Sequence, residues 1–142
     1  MKTVAQLLML KSDGLISIRP DAPVIDALKL LADKGVGAVL VMDGARLLGI
    51  LSERDYARKV ELKGKASTTT LVSEIMTKEV IFVTPNQTNE DCMALMTGKH
   101  LRHLPVIEED KVIGILSIGD LVKDAISEQQ FIIEQLEHYI HR

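Results

Sequence analysis

The sequence predicts a mixed α/β protein made of two copies of one βαββα unit. Residues 16–55 align with residues 81–120 without a gap, and eleven of the forty pairs are identical, whereas composition alone would give about two or three. Each copy shows strand, helix, strand, strand and helix patterns in the same order. Because 46% of the residues are hydrophobic and 26% are charged, the chain has the composition of a folded globular protein.

The length favours one compact module over two separate domains. At 142 residues the whole chain can bury most of its apolar surface, but a copy of about 60 residues would be only marginally stable alone. We therefore expect the copies to share a core. The expected divisions are a first repeat at 1–62, a polar linker at 63–70, a second repeat at 71–126 and a helical extension at 127–142.

Each repeat is predicted to begin with a short helix and a short strand. The lead-in helices are expected at 4–10 and 71–77, because the apolar positions of the first recur in the second. The strands that follow are LISI at 15–18 and VIFV at 80–83. Both end two residues before a proline, which cannot donate a hydrogen bond to a sheet.

The main helix of each repeat has a recognisable beginning and apolar face. In the second repeat Thr88 and Asp91 form the pattern of a capping box, and in the first Pro23 takes the early helical place. Gly35 is predicted to end the first helix in a left-handed conformation. The apolar faces are Ala27, Leu28, Leu30 and Leu31 in the first copy and Cys92, Met93, Leu95 and Met96 in the second.

A hairpin and a second helix complete each repeat. Strands are predicted at 38–42 and 47–51 around Asp43-Gly44, and the second copy places its hairpin around 108–110. Asp55 and Asp120 stand where a helix N-cap belongs. The last helix keeps its apolar period from Asp120 almost to Arg142. We expect its far end to pack on another subunit or on the lead-in helix, in a symmetric homodimer.

Charge, cysteine and histidine content argue against several classes of function. A formal net charge of −3 lacks the basic footprint of a nucleic-acid-binding domain. The single cysteine, Cys92, fits a reducing compartment, and its place on an apolar helical face indicates a core residue rather than a nucleophile. His138 and His141 lie three positions apart with Glu134 and Glu137 nearby, but no third or fourth ligand is fixed, so a solvated terminal turn is expected rather than a metal site.

We expect a cytoplasmic protein that does not span a membrane. No run approaches the ~18 apolar residues of a membrane span. The first ten residues, MKTVAQLLML, are not interpreted as an export signal, because their apolar pattern recurs inside the chain at 72–76.

The candidate chemistry concentrates in GILSERD at 49–55 and GILSIGD at 114–120. An aspartate at a helix N-terminus accepts backbone N–H bonds, and its second oxygen can accept from other hydroxyls, such as those of a ribose. A helix N-terminus favours a phosphate, and Arg54 can hold one with its fork of donors. The alternative is that Asp55 and Asp120 only cap helices and that Gly49 and Gly114 only shape strand ends.

This doubled order of elements and motifs resembles a tandem pair of cystathionine-β-synthase (CBS) domains. The segments that carry the resemblance are ISIRPDAPVIDALKLLADKGVGAVLVMDGARLLGILSERD in the first copy and MTKEVIFVTP and RHLPVIEEDKVIGILSIGD in the second. They cover nearly the whole chain. The resemblance implies two pseudo-symmetric sites for adenosine ligands, each joining early strands of one repeat with the Ser-x-x-Asp motif of the other.

The resemblance also implies which residues form these sites. The first set is Ser52, Arg54, Asp55, Thr84, Asn89, Leu101, Arg102 and His103, and the second is Arg19, Val24, Val36, Gly37, Ala38, Ser117, Gly119 and Asp120. The first set holds cations near the expected phosphate, although His103 could instead be a surface histidine at a strand edge. The second set has Gly37 and Gly119 at the positions that Arg102 and Arg54 take in the first. It also has Leu40-Val41 where the family has Pro-Val. We therefore expect one strong site and one weaker or degenerate site.

The function implied by the resemblance is that of a sensor without a catalytic cofactor. It would bind AMP, ATP, NAD or a related adenosyl compound and act on a separate enzyme or transporter, through its own dimer, or as a ligand buffer. The alternative is a structural interaction module with vestigial sites. An enzyme is not expected, because no nucleophile and base pair, phosphate loop or metal constellation is recognisable.

Overall fold

The computed structural model describes residues 1–11 and 14–141 and confirms the mixed α/β fold. In chain order the elements are α1 (Val4–Met9), β1 (Ser17–Ile18), α2 (Val24–Lys34), β2 (Ala38–Asp43), β3 (Arg46–Ser52), α3 (Glu53–Tyr56) with a π-helical continuation (Ala57–Glu61), α4 (Val72–Ile75), α5 (Asn89–Lys99), β4 (His103–Glu108), β5 (Lys111–Ser117) and α6 (Ile118–Ile140). They fall into two compact units. The first unit holds residues 14–81 and 110–112, and the second holds residues 1–11, 82–109 and 113–141.

The first unit is built around a three-stranded sheet. β1 pairs in parallel with β2, and β2 pairs antiparallel with β3. α2 runs from its N-cap Pro23 to Gly35, whose φ of 64° confirms the predicted left-handed cap. The apolar side chains of the unit form one buried cluster of Val24, Ala27, Leu31, Val39, Val41, Leu51, Val60, Val72 and Ile75.

The second unit repeats this plan with a reduced sheet. β4 and β5 form the predicted hairpin, but the strand predicted at 80–83 is reduced to a single bridge between Val83 and Val106. In the first unit the N–H of Leu40 donates to the carbonyl of Ile16 at 3.1 Å. Pro105 stands at the position equivalent to Leu40 and has no N–H to donate, so the parallel ladder cannot extend.

The lead-in helices lie in the units of the opposite repeats. α1 precedes the first repeat but belongs to the second unit, and α4 precedes the second repeat but belongs to the first unit. The supporting hydrogen bonds are equivalent: Val72 N to Ala22 O at 2.9 Å and Val24 N to Thr70 O at 2.8 Å in the first unit, and Val4 N to Gln87 O at 2.8 Å and Asn89 N to Lys2 O at 3.1 Å in the second. The compact units therefore differ from the division of the sequence into repeats.

α6 is the longest element, at 23 residues. It follows the predicted period and ends at Ile140, while Arg142 lies outside the described residues. Leu121 and Asp124 are buried in its first half, whereas every residue from 129 to 141 is exposed. Within residues 1–11 and 14–141, no helix combines the length and the apolar character that a membrane crossing requires.

Candidate functional site

Both repeats form the same capping box where their hairpin passes into a helix. In the first, the Asp55 N–H donates to Ser52 Oγ at 3.2 Å and the Ser52 N–H donates to Asp55 Oδ2 at 2.9 Å. In the second, Ser117 and Asp120 exchange the same two bonds at 3.2 and 2.8 Å. The predicted N-cap role of Asp55 and Asp120 is therefore wrong. The extended serines are the N-caps, and the aspartates occupy the third helical position, from which a carboxylate reaches back to the serine N–H.

Asp55 is buried, and its carboxylate has four donors. Oδ2 accepts from the N–H and, at 3.1 Å, from the hydroxyl of Ser52. Oδ1 accepts from Thr77 Oγ1 at 3.1 Å and pairs with Lys59 Nζ at 3.1 Å. Because a carboxylate offers about four lone pairs, the acceptor capacity of Asp55 is fully used within the first unit.

Asp120 is more open, with 28% of its side chain exposed against 12% for Asp55. Its Oδ2 accepts from the Ser117 N–H and pairs with Lys11 Nζ at 2.9 Å. Burial alone would raise the pKa of Asp120, but the bonds from Ser117 and the Lys11 ammonium outweigh it and lower that pKa.

The two lysines that reach these carboxylates come from unrelated positions. Lys59 lies one turn after Asp55 on the same helical segment, and its Nζ also donates to the carbonyl of Ile75 at 3.0 Å. Lys11 lies just after α1, and its Nζ also donates to the carbonyl of Ile115 at 2.8 Å. The internal repeat aligns Lys59 with Asp124 rather than with a lysine. Comparison of the two copies therefore could not reveal this shared feature.

The glycines of the two motifs are required by close contacts with the lead-in segments. A Cβ on Gly49 would lie 2.7 Å from the carbonyl oxygen of Thr77, and a Cβ on Gly114 would lie 2.7 Å from a methyl group of Leu8. In the first unit the contact is fixed further, because Ile50 and Thr77 exchange two backbone hydrogen bonds. Packing is thus one reason for the repeated glycine.

Of the remaining residues of the first predicted set, Arg54 lies in α3 of the first unit, whereas the others lie in the second unit, at the ends of its elements. Thr84 follows the Val83 bridge, where its hydroxyl contacts Asn86 Oδ1 at 2.7 Å. Leu101, Arg102 and His103 connect α5 to β4, and the carbonyl of Arg102 accepts from the Ile118 N–H at 2.9 Å. The second unit therefore places Arg102 beside its own capping box.

The equivalent loop of the first unit is arranged in the same way. Gly37 accepts a hydrogen bond from the Glu53 N–H at 3.0 Å, and Ala38 pairs with Ser52 in the sheet. Arg19 is exposed and pairs with Asp21 at 3.1 Å. Val24 is part of the buried cluster, and Val36 packs against it. Each unit thus joins its own loop to its own capping box, and the joining of residues from both repeats in one ligand site stays a prediction.

Asn89, the counterpart of Val24, belongs to a buried polar cluster that the sequence did not indicate. Its Nδ2 donates to Asp124 Oδ2 at 2.7 Å and to the Leu121 carbonyl at 3.0 Å, and Lys2 Nζ donates to Asp124 Oδ1 at 2.7 Å. Burial would raise the pKa of Asp124, but Lys2 and Asn89 lower it, and Asp124 in turn raises the pKa of Lys2. Asn89 Oδ1 is buried without a hydrogen-bond partner among the described residues. The cluster fixes α5 to α6.

Cys92 is a core residue, as predicted. It is buried on α5, and burial together with the neighbouring Asp91 raises the pKa of its thiol to about 11. A thiol with such a pKa is almost entirely protonated at neutral pH and is a poor nucleophile. In the part of the chain that the structure describes, no three histidine, cysteine or acidic side chains are grouped as metal ligands would be.

Comparison with known proteins identifies the class that this fold and these motifs define. The family model of the CBS domain matches residues 4–62 and 72–126. Since these two matches include most of the chain, the protein belongs to the CBS domain family, and it carries two copies of the domain.

Individual relatives share this plan. A candidate signal-transduction protein with CBS domains from Burkholderia ambifaria MC40-6 is 50% identical, with a TM-score of 0.87 over 90% of this chain and 96% of that one. CBSX2, solved in complex with AMP, is 33% identical, with a TM-score of 0.74 over 91% of this chain and 99% of that one. The mitochondrial CBS domain-containing protein CBSX3 of Arabidopsis thaliana is 40% identical over 125 residues, which are 84% of this chain and 61% of that protein. The chain thus spans less than two thirds of that relative's length.

Proposed function

We propose that this protein is a regulatory sensor that binds an adenosine nucleotide at its Ser-x-x-Asp motifs. The observation that carries the proposal is the doubled capping box, which fixes a carboxylate beside a helix N-terminus in each repeat. A carboxylate suits the hydroxyls of a ribose, and a helix N-terminus suits a phosphate. The AMP bound by CBSX2 supports this ligand class, and ATP and NAD are further members of the class to be tested.

The stronger site is proposed for the first set of residues, because it contains the cations that a phosphate needs. Arg54, Arg102 and His103 belong to this set, whereas the second set has Gly119, Gly37 and Ala38 at the corresponding places. A ribose at Asp55 must take the place of donors that already contact Oδ1. Lys59 is suited to such an exchange, because 43% of its side chain is exposed and a bound phosphate would offer its ammonium a new anionic partner.

The partners and the role follow from the same proposal. A nucleotide-bound state would regulate a separate enzyme or transporter, or act through a homodimer of this chain, provided that ligand and partner favour the same conformation. We propose regulation rather than catalysis. Turnover of ATP or NAD by the purified protein would contradict this part of the proposal. The cytoplasmic location stays a prediction, and the Arabidopsis relative CBSX3 is mitochondrial.

A thermal-unfolding panel tests the proposed ligand class. Ligand-free protein is heated with AMP, ADP, ATP, NAD, NADH or S-adenosylmethionine. A ligand at one hundred times its dissociation constant should stabilise the fold by about 2.7 kcal/mol, which corresponds to a shift of roughly 5–10 °C for a chain of this size. A shift with one adenosine ligand supports the sensor. The absence of any shift, with ligands up to millimolar concentration, would reject it in favour of the structural interaction module.

A further inference from the structure

Lys59 occupies the part of Asp55 that a ribose would need. Its Nζ lies 3.1 Å from Asp55 Oδ1 and donates to the carbonyl of Ile75 at 3.0 Å. Thr77 Oγ1 donates to the same Oδ1 at 3.1 Å, while Ser52 holds Oδ2. A ligand hydroxyl can therefore bind this carboxylate only when one of the present donors leaves.

Lys59 is the donor that can leave at the lowest cost. Its side chain is 43% exposed, so water can solvate the released ammonium. The Ser52 N–H and hydroxyl belong to the capping box of α3, and Thr77 is fixed by two backbone hydrogen bonds with Ile50. Because the lysine stem is flexible, its Nζ can leave Asp55 without a shift of either element.

The helix around Lys59 differs between the two copies. After α3 the chain continues as a π-helix over Ala57–Glu61, and the N–H of Leu62 donates to the carbonyl of Ala57 at 3.0 Å. Such turns are rare and are frequent at functional sites. The corresponding part of the second copy is continuous α-helix in α6, with Asp124 at the place of Lys59. The pairing of the motif aspartate with a lysine one turn later is thus specific to the first copy.

Release of Lys59 costs more for one kind of ligand than for another. A nucleoside would replace the ammonium at Asp55 Oδ1 with neutral hydroxyls and would offer the released ammonium no anion. A nucleotide brings a phosphate, with which the ammonium can pair instead. The ion pair is therefore lost when a nucleoside binds, but it is exchanged for another when a nucleotide binds.

We propose that Lys59 makes the first site selective for phosphorylated adenosine compounds over adenosine itself. The inference rests on the proposed function, because it requires the ribose to bind at Asp55. In the free protein Lys59 competes with the ribose for Oδ1, and in the nucleotide complex it pairs with the phosphate. Both effects favour a nucleotide over a nucleoside.

Isothermal titration of AMP and of adenosine measures this selectivity. Lys59→Met should bind adenosine about five- to tenfold more tightly than the wild type does, because the competing ion pair is removed. Its affinity for AMP should stay nearly constant, because the lost competitor and the lost phosphate contact offset each other. The preference for AMP over adenosine should therefore fall about five- to tenfold.

Lys63→Met is the matched control for the change in charge. It removes the same ammonium group from an exposed position four residues later, so it should leave the preference unchanged. If the wild type binds AMP but Lys59→Met keeps the same preference, or if Lys63→Met reduces it equally, the inference alone is overturned. A wild type that binds neither compound would reject the proposed function as well.

Acetylation of lysines in the wild type tests the release of Lys59 without a mutation. Saturating adenosine should raise the rate at which Lys59 is acetylated, because its ammonium leaves Asp55, and AMP should raise that rate less, because the phosphate holds the ammonium. Lys63 should react at the same rate throughout. Mass spectrometry of peptides measures both rates. An unchanged rate for Lys59 in saturating adenosine would show that the ion pair persists and would contradict the proposal.

Discussion

The two Ser-x-x-Asp copies have the same capping geometry but different surroundings. Asp55 uses its whole acceptor capacity on Ser52, Thr77 and Lys59. Asp120 is more exposed, and its Oδ2 accepts from the Ser117 N–H and pairs with Lys11. The capping box is thus common to both repeats, while the contacts around it differ between the two copies. The first is a buried structural centre, and the second is more open.

The largest expected difference between the copies concerns the glycines of the motif. Gly49→Ala should destabilise the fold by about 3 kcal/mol and Gly114→Ala by about 1 kcal/mol, within the range for overpacking. The new Cβ at position 49 would meet the backbone carbonyl of Thr77, which two hydrogen bonds hold in place, whereas at position 114 it would meet a Leu8 methyl group that can rotate. Urea unfolding of both variants measures the difference, and equal losses would show that the two contacts are equally rigid.

A smaller difference is expected for the carboxylates. Asp55→Ala should cost about 2 kcal/mol, because it leaves the Ser52 N–H and the Thr77 hydroxyl without their acceptor in a buried place. Asp120→Ala should cost about 1 kcal/mol, because the Ser117 N–H loses its acceptor at a half-buried place. Asp91→Ala, in the exposed capping box of α5, provides a reference outside both predicted sets. A lower urea midpoint for Asp120→Ala than for Asp55→Ala would contradict this contrast between the two copies.

The smallest expected effect is a dependence on pH in the second copy. The pKa of Asp120 is lowered in the folded state, so its stabilisation is present above the unfolded pKa of about 3.9 and is lost as pH falls through the folded pKa. Lys11→Met should therefore reduce stability by about 0.5–1 kcal/mol at pH 7, and the difference from wild type should shrink below about pH 4. Urea unfolding at pH 7, 5 and 3 checks this. A difference that persists unchanged at pH 3 would mean that the Lys11–Asp120 pair is not its source.

The sequence predicted the parts of the fold that depend on local pattern. The repeat, the main helices and hairpins, the left-handed Gly35 and the Thr88–Asp91 box follow from periodicity and from residues with narrow conformational preferences. The strand predicted before α5 is reduced to one bridge, and the sequence pattern did not predict this loss. The loss depends on which β4 residue would have to donate a hydrogen bond to the neighbouring strand. Pro105 occupies that position.

The contacts of the candidate site were less accessible from sequence. Asp55 and Asp120 were identified as important, but their caps are Ser52 and Ser117. The Lys59 ammonium lies one helical turn after Asp55, a spacing that the sequence shows. The Lys11 ammonium could not be predicted, because Lys11 follows the lead-in helix α1 and lies 109 residues from Asp120 along the chain. Long-range contacts of this kind leave no trace in the spacing of residues.

Isothermal titration of AMP into ligand-free protein tests the central claim most directly, with Asp55→Asn, Asp120→Asn and the control Asp91→Asn alongside the wild type. These changes keep the size of each side chain and remove the charge. We expect one dominant binding event that weakens at least tenfold in Asp55→Asn, about 1.4 kcal/mol, and that persists in the other two variants. Two equal events in the wild type, or a loss of binding in Asp120→Asn alone, would contradict the assignment of the stronger site to the first copy.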